Sequence, residues 1–469
     1  MSLPDRFAPL VAATADLASR FESAGHRLYL VGGVVRDALL GRLDASADLD
    51  LTTEATPRET KQVVRGWADA LWDQGERFGT IGFRKGNRDF EVTTHRAEAY
   101  SPDSRKPEVA FSREVEADLW RRDFTVNAMA LSLPDLQLHD PTGGAADLAA
   151  KVLRTPLSPD ESFSDDPLRM MRAARFITGY DLVPEPDLVE AVRAMADRLG
   201  IVSSERIRDE LNKLIVLPST GPGFWFLVET GLAAHFLPEL PGLALEQDPV
   251  HRHKDVLAHT IAVVDKASLP EVGADRILRL AALLHDIGKP KTRAFGPGGV
   301  SFHHHDVVGA RMTRERMKAL KYPADEIERV SRLVELHLRF HTYRFGWTDS
   351  AVRRYVRDAG DELDRLNALT RADCTTRNQR KADELAARMD SLEERITELR
   401  HQEELDAIRP DLDGAAVMAQ LGIGPGREVG QALAFLLELR LEEGPLDPDD
   451  ARQRLDAWWT ERQNPESGG

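Results

Sequence analysis

The first clear rhythm along the chain is helical. Phe7, Leu10, Val11, Leu17 and Phe21 recur at helical spacing and predict an amphipathic helix over residues 5–25. HRLYLVGG then drops its alternation, which predicts a buried strand ending in two glycines. VVRDALLGR returns to helical spacing and closes on Gly41. DLDLTT reads as a short alternating strand, and TIGFRKGNRDFEVTTHR as a hairpin turning at Lys85-Gly86-Asn87. Residues 25–150 therefore predict a small α/β unit with a mixed sheet.

From Pro156 strand signals almost vanish. Three helices are predicted over 166–178, 186–199 and 204–216, broken by Gly179, by Pro184-Glu185-Pro186 and by Gly200. The Pro/Gly-rich stretch LPELPGLALEQDP suggests a boundary near 245–250. Residues 251–375 read as helical and rich in histidine. A charged helix follows over 380–407, with Leu385, Met389, Leu392, Ile396 and Leu399 as its apolar stripe. The remainder reads as helical, with glycines 422, 424, 426 and 430 between two helices. The expected segments are 25–150, 155–245, 250–375 and 380–469, and no solenoid-type repeat is visible.

Composition narrows the functions. Of 469 residues, 42% are apolar and 30% charged, core material enough for several units. The formal charge of −16 excludes a general basic coat, so any nucleic-acid contact must rest on local Arg and Lys clusters. The single cysteine, Cys374, excludes an intrachain disulfide framework and suits a reducing cytosol. No stretch approaches 18 uncharged apolar residues, so no membrane span is expected and the location is read as cytoplasmic.

Four stretches carry candidate head chemistry. LVGGVVRDALLGR places glycines between a strand and a helix start, where a phosphate can approach free N–H groups; taken alone, the motif reads first as a tight strand–helix turn. Asp48 and Asp50 would share one face of a strand, where two carboxylates side by side repel unless a cation such as Mg²⁺ sits between them; a solvated turn with two acids is the other reading. Glu91 is either a third acid or half of a cross-strand ion pair. In DLWRRDFTVNAMAL, Arg121 and Arg122 suit phosphate or a salt bridge, and Asp123 suits ribose hydroxyls. In DDPLRMMRAARF, Asp166, Arg169, Arg172 and Arg175 recur every three residues, as an ion-paired helix face or as something sharper. An Asp accepts and an Arg donates, so the pair at one turn matches the edges of cytosine and adenine and mismatches guanine and uracil.

Taken in order, LVGGVVRDALLGR, DLDLTT, FEVTTHR, DLWRRDFTVNAMA, DPTGGAADL and DDPLRMMRAARF resemble the bacterial class II tRNA nucleotidyltransferases, the CCA-adding enzymes and their poly(A) polymerase relatives. The resemblance spans roughly residues 25–240. It implies an α+β multidomain protein, with a polymerase-β-like head of mixed sheet plus helices and an all-α neck. It implies Mg²⁺ on Asp48 and Asp50. It further implies that Gly33, Arg36, Arg122, Asp166, Arg169, Arg172 and Arg175 contact incoming ATP or CTP. The family's Glu-Asp pair reads Asp165-Asp166 here, a mild departure.

A second constellation lies further on. Nine of the 14 histidines fall in residues 251–341. Imidazole and carboxylate suit a divalent transition metal, on which water becomes a hydrolytic nucleophile. His259, His285-Asp286 and Asp373 resemble the HD phosphohydrolase superfamily, and His305 and His337 fall where its two-metal members have extra ligands. The resemblance implies a phosphohydrolase centre using Ni²⁺, Mn²⁺, Co²⁺ or another divalent metal, or a frame that only shapes the body of the enzyme. Cys374 reads as a core filler.

The expected function is template-independent addition of C, C and A to the 3′ end of tRNA, with an HD phosphohydrolase side activity. CC-only or A-only addition and poly(A) synthesis share the same motifs. An HD phosphohydrolase with a nucleotide-binding head is a rival of another class, and the intact Asp48–Asp50 pair argues against it. The span 166–215 holds eight Lys or Arg against nine Asp or Glu, so no broad tRNA-binding surface is visible. Monomer and homodimer both remain open.

Overall fold

The computed structural model describes residues 3–44, 48–99, 108–245, 255–296, 299–342, 347–375, 379–403, 405 and 408–463. The expected boundary at 245–250 falls mostly outside these residues. The strand β1 (Leu28–Val31) is buried at every position, as its uninterrupted apolar run requires. Around it β2 (Leu49–Thr53), β3 (Ala70–Trp72), β4 (Thr80–Lys85), β5 (Arg88–Thr94), β6 (Ala130–Leu133) and β7 (Leu138–His139) complete a seven-stranded sheet. Its order is β3-β4-β5-β2-β1-β6-β7. Only β2 and β5 run parallel; the other neighbours are antiparallel, so the sheet is mixed.

The first helix spans Leu3–Ser23 and buries Phe7, Leu10, Leu17 and Phe21, while Val11 sits at the edge of that stripe. The helix Gly33–Leu40 leaves β1 through Gly32 (φ 71°, ψ −131°), a backbone that only glycine adopts at little cost, and stops at the left-handed Gly41. A capping box of Thr56 and Glu59 starts the helix Pro57–Val64.

Beyond the sheet the same unit becomes helical. A second capping box, Ser158 with Glu161, starts the helix Pro159–Asp165. Asp166 then leaves the helix with extended backbone (φ −143°), and Pro167 opens the helix Leu168–Tyr180. The expected helix from 166 therefore begins two residues later, because a proline at 167 disfavours helical backbone at 166. Gly179 lies inside this helix; the stop is Asp181 in left-handed conformation. The next helix is Pro186–Met195, tightening into a 3-10 turn through Ile201, and Ser204–Ile215 follows.

Residues 1–214 with 222–236 form one compact unit, and 215–221 with 237–469 a second. The second is almost all helical, with a small unexpected hairpin, Ala294–Gly296 against Gly299–Ser301. The helix Gln379–Gln402 buries Met389, Leu392, Ile396 and Leu399, so its stripe packs within the unit. The helices Gly414–Leu421, Arg427–Glu443 and Pro448–Gln463 close a core of Leu412, Val417, Val429, Ala432, Leu436, Ala451 and Leu455. Gly430 falls inside the second of these helices rather than between two.

Candidate active sites

In the first unit the sheet register sets the acids. Asp50 of β2 lies directly beside Glu91 of the parallel β5, so both carboxylates leave the same face. Asp48 precedes β2 by one residue and is exposed. Crowding by the surrounding protein pushes the Asp50 carboxyl above its ordinary value, with Arg122 opposing and Asp48 adding repulsion. Glu91 is raised by burial and by the charges of Asp50, Asp48 and Asp89. Asp89 takes the cross-strand pair with Arg84 (Nη2 to Oδ2, 2.8 Å). Glu91 is thus the third acid of the cluster rather than half of that pair.

Next to the acids, Thr93, Arg96, Asp118, Arg121, Arg122 and Arg169 line a cleft of about 260 Å³. Four guanidinium groups thus face a space with one carboxylate among its lining residues. Burial pushes the Arg96 guanidinium below its ordinary value, and the charges of Arg121 and Arg122 add to the effect while Asp118 opposes it. Such a cluster attracts a polyanion. Arg122 donates to Asp118 (Nη2 to Oδ2, 3.0 Å), and its Nη1 would stand 2.9 Å from a Cβ at Gly32. Arg36 Nη2 would stand 3.4 Å from a Cβ at Gly33. Both guanidinium groups therefore lie against the glycine turn.

Arg36 is itself buried, with its guanidinium over the Tyr180 ring at 4.0 Å and donating to Asn127 and the Tyr180 hydroxyl. Asn127 donates to Asp123 (Nδ2 to Oδ1, 3.0 Å), and Arg172 donates to the other oxygen (Nε to Oδ2, 2.9 Å). Burial alone would push the Asp123 carboxyl up; Arg172 and Asn127 outweigh it and hold the group well below the usual carboxylate range. Asp123 is thus a buried strut between the sheet domain and the helix Leu168–Tyr180, not a free ligand for ribose. Arg175 pairs with the buried Glu210. Asp166 accepts from Arg206 (Nη2 to Oδ2, 2.7 Å), while Arg169 donates to Ser162 Oγ (2.9 Å) and to the Arg121 carbonyl (2.6 Å). Asp166 and Arg169 are brought to the same helix start, each with its own protein partner.

In the second unit six residues converge. His259 comes from the helix Val256–Lys266, His285-Asp286 from the end of Arg276–Leu284, and His305 from the start of His305–Ala319. His337 caps Ala324–Leu336, and Asp373 ends Leu363–Asp373. Ligand atoms of His259, His285 and Asp373 lie within 4.8 Å of one another, as do those of Asp286, His305 and His337. Asp286 joins the groups, its oxygens lying 3.2 Å from His285 Nε2 and 3.4 Å from His305 Nε2. Of His303, His304 and His305 only the last turns inward. Gly288 permits this, since a Cβ there would meet the His305 carbonyl oxygen at 2.2 Å.

The outer imidazole nitrogens are all engaged. Nδ1 of His285, His305 and His337 lies 2.8, 2.7 and 2.6 Å from the carbonyls of Ala282, Phe302 and Val334, and that of His259 lies 2.6 Å from Thr375 Oγ1. A carbonyl partner fixes the proton on Nδ1 of the neutral ring and turns the Nε2 lone pair inward, the arrangement of metal-ligating histidines. The two Nε2 atoms of His305 and His337 sit 3.2 Å apart, and the buried His285 Nε2 faces the carboxylates of Asp286 (3.2 Å) and Asp373 (3.8 Å). This donor set fits a divalent metal pair. Lys289 Nζ lies 2.6 Å from Asp286 Oδ2.

A mixed sheet bearing clustered carboxylates beside an arginine-lined cleft defines a nucleotidyltransferase head, here in one chain with an HD-type histidine–aspartate centre. The comparisons agree with both. The chain matches the family "Poly A polymerase head domain" over residues 28–154, "Probable RNA and SrmB- binding site of polymerase A" over 181–243, and "HD domain" over 256–399. It is 35% identical over 439 residues to the A-adding tRNA nucleotidyltransferase of Deinococcus radiodurans, covering 92% of this chain and 95% of that one. It is 40% identical to the CCA-adding enzyme of Streptococcus gordonii over 48% of this chain and 54% of that one, about half of each. The solved Bacillus stearothermophilus CCA-adding enzyme in complex with CTP shares the fold (TM-score 0.70, 23% identity, 98% and 99% of the two chains covered). The chain belongs to the tRNA nucleotidyltransferase family, and its α+β fold is the one expected. No helix among the described residues is long and apolar enough to cross a membrane.

Proposed function

We propose that the protein extends the 3′ end of tRNA without a template, adding C, C and A from CTP and ATP in the cytosol. The observation that carries this reading is the sheet face on which Asp50 and Glu91, with Asp48 close by, adjoin a cleft lined by four arginines. The tRNA 3′-hydroxyl attacks the α-phosphate of the nucleotide and diphosphate leaves. Asp48 and Asp50, with Glu91, would hold Mg²⁺. Such ions stabilise the attacking and leaving oxygens of an in-line displacement.

Arg96, Arg121 and Arg122 neutralise the triphosphate, which lies over the Gly32–Gly33 turn; Arg36 holds that turn from beneath. Arg172 and Arg175 fix the helix Leu168–Tyr180 through Asp123 and Glu210. At its start Asp166 accepts from the exocyclic amino group of cytosine or adenine in place of Arg206, and Arg169 donates to the neighbouring ring nitrogen. The proposed division is head (25–150), neck (155–245), HD segment (250–375) and tail (380–469).

The test supplies a tRNA lacking its last three nucleotides with CTP and ATP, separately and together. A second reading, A-only addition, is favoured by the Deinococcus radiodurans relative, which aligns over nearly the whole chain. It is told apart by a tRNA lacking only the terminal A: an A-only enzyme extends that substrate and leaves the shorter one untouched.

We further propose that the HD centre is a working phosphohydrolase. His259, His285 and Asp373 would hold one divalent ion and Asp286, His305 and His337 a second, with Ni²⁺, Mn²⁺ or Co²⁺ as candidates. Such ions make hydroxide available near neutral pH. A 2′,3′-cyclic phosphate on a terminal ribose is the proposed substrate class: water adding at phosphorus with cleavage of the O3′–P bond leaves a 2′-phosphate and frees the 3′-hydroxyl that the head needs. Hydrolysis should survive Asp48→Ala and vanish in His285→Ala. No turnover with any of the three metals, and no metal in the purified protein, would make the centre structural.

A further inference from the structure

The register of the sheet runs beyond the acids. Asp50 of β2 is paired with Glu91 of β5, Glu91 with Gly82 of β4, and Gly82 with Trp72 of β3. These four residues form one straight row across four strands, all on the same face. The five-membered edge of the Trp72 indole occupies the space a side chain at Gly82 would need; a Cβ there would stand 1.9 Å from the indole Nε1. Strands are spaced about 4.8 Å apart, so the ring over β4 is roughly 5 Å from the Glu91 position. Trp72, Phe78, Gly82, Glu91 and Arg96 line a cleft of about 340 Å³. Phe78 is exposed there, and Trp72 is half-buried.

This cleft and the arginine-lined cleft share Arg96. Glu91 lines the first and Thr93, two residues along the same strand and on the same face, lines the second. In phosphoryl transfer the attacking and leaving oxygens lie roughly in line through phosphorus. If the diphosphate leaves on the arginine side, the attacking hydroxyl arrives from the other side of the acids. The face there holds an aromatic cleft with few cations, suited to a nucleoside rather than a triphosphate.

We propose that Trp72 is the platform on which the 3′-terminal base of the RNA primer stacks, with Phe78 as a side wall. Stacking places the terminal ribose over Glu91 and Asp50, its 3′-hydroxyl facing the nucleotide. A π-face accepts any base, which suits an enzyme whose primer end changes at each addition. The inference rests on the nucleotidyltransferase reading above. An aromatic ring over a glycine also shields a sheet, so the test must move something that packing alone would not.

The experiment compares two tRNA primers lacking the terminal nucleotide, one intact and one whose last ribose carries no base. Wild type should show a primer KM about tenfold higher for the abasic primer, within the roughly 5- to 150-fold range of base–aromatic stacking. In Trp72→Ala the intact primer should already show that rise, the abasic penalty should fall below about twofold, and the nucleotide KM should stay within about twofold. Trp72→Phe should recover most of the loss. Phe78→Ala, an exposed position, gives a second reading with a smaller rise if Trp72→Ala folds poorly. An abasic penalty as large in Trp72→Ala as in wild type, or a primer KM unmoved by both alanine variants, overturns the platform. A wild-type protein that extends neither primer refutes the proposed function itself, and the platform with it.

Discussion

Replacing Gly32 by alanine tests the glycine turn most sharply. Its backbone (φ 71°, ψ −131°) lies where a residue with a Cβ is strained, at a cost of about 1–3 kcal/mol in stability. The added Cβ would stand 2.9 Å from Arg122 Nη1, so the guanidinium must move away from the turn. A hydrogen bond to a charged group contributes about 1.5–3 kcal/mol. Losing one from Arg122 to phosphate should raise the nucleotide KM by roughly 10- to 150-fold, at 1.4 kcal/mol per factor of ten. Gly33 is an internal control. It opens the helix Gly33–Leu40 without a positive φ, and its Cβ would meet Arg36 Nη2 at 3.4 Å, a tight but tolerable contact. Gly33→Ala should change the KM by less than about threefold, its contact loss being well under 1 kcal/mol. The assay is steady-state ATP incorporation into tRNA lacking its terminal A, with thermal unfolding run beside it. Gly32→Ala within threefold of wild type, or Gly33→Ala the more damaging of the two, would refute the reasoning.

Other predictions follow from the same geometry. Asp48→Ala and Asp50→Ala should abolish nucleotide addition without loss of the folded state, checked by incorporation and circular dichroism; near-normal incorporation by either would sink the metal assignment. Asp166→Ala should lose preference for CTP and ATP over UTP and GTP, or lose activity outright; unchanged rate and selectivity would move base reading elsewhere. In the HD centre, burial pushes the His337 imidazole down to about 4, with the His285 charge adding to the shift. Between that value and about 6.5 the unfolded chain binds the extra proton and the folded chain does not. Stability of the metal-stripped protein should therefore be complete above about pH 6.5 and fall as pH drops towards 4. His337→Gln should flatten that slope in denaturant unfolding, and an unchanged slope would contradict the burial argument.

Local signals made the head readable. The buried β1, the Gly41 stop and the hairpin at Gly86 are each set by neighbouring residues, so periodicity and turn chemistry reach them. The Asp48–Asp50 pair and the HD residues were visible as types at a spacing. What the sequence did not display is convergence. Arg96 and Arg169 line one cleft although 73 positions apart in number, and only the folded chain brings them together. Asn127 links Arg36 to Asp123, yet in the sequence it is one polar residue in an apolar frame. Its burial among hydrophobics was the only available signal. The helix expected from Asp166 missed the break because the arginine spacing of three runs through it, whereas Pro167 decides the backbone. Asp166 could therefore be named as a site residue while its partner, Arg206, came from a helix that no local pattern connects to it.

The central claim is template-independent addition to tRNA by the Asp48–Asp50–Glu91 face. Its most direct measurement incubates the purified protein and Mg²⁺ with a tRNA lacking its last three nucleotides, and resolves the products at single-nucleotide length. Two additions are expected with CTP alone, three with CTP and ATP together, none with UTP or GTP, and none by Asp50→Ala. No extension of this tRNA or of one lacking only the terminal A, or equal extension by Asp50→Ala, would contradict it.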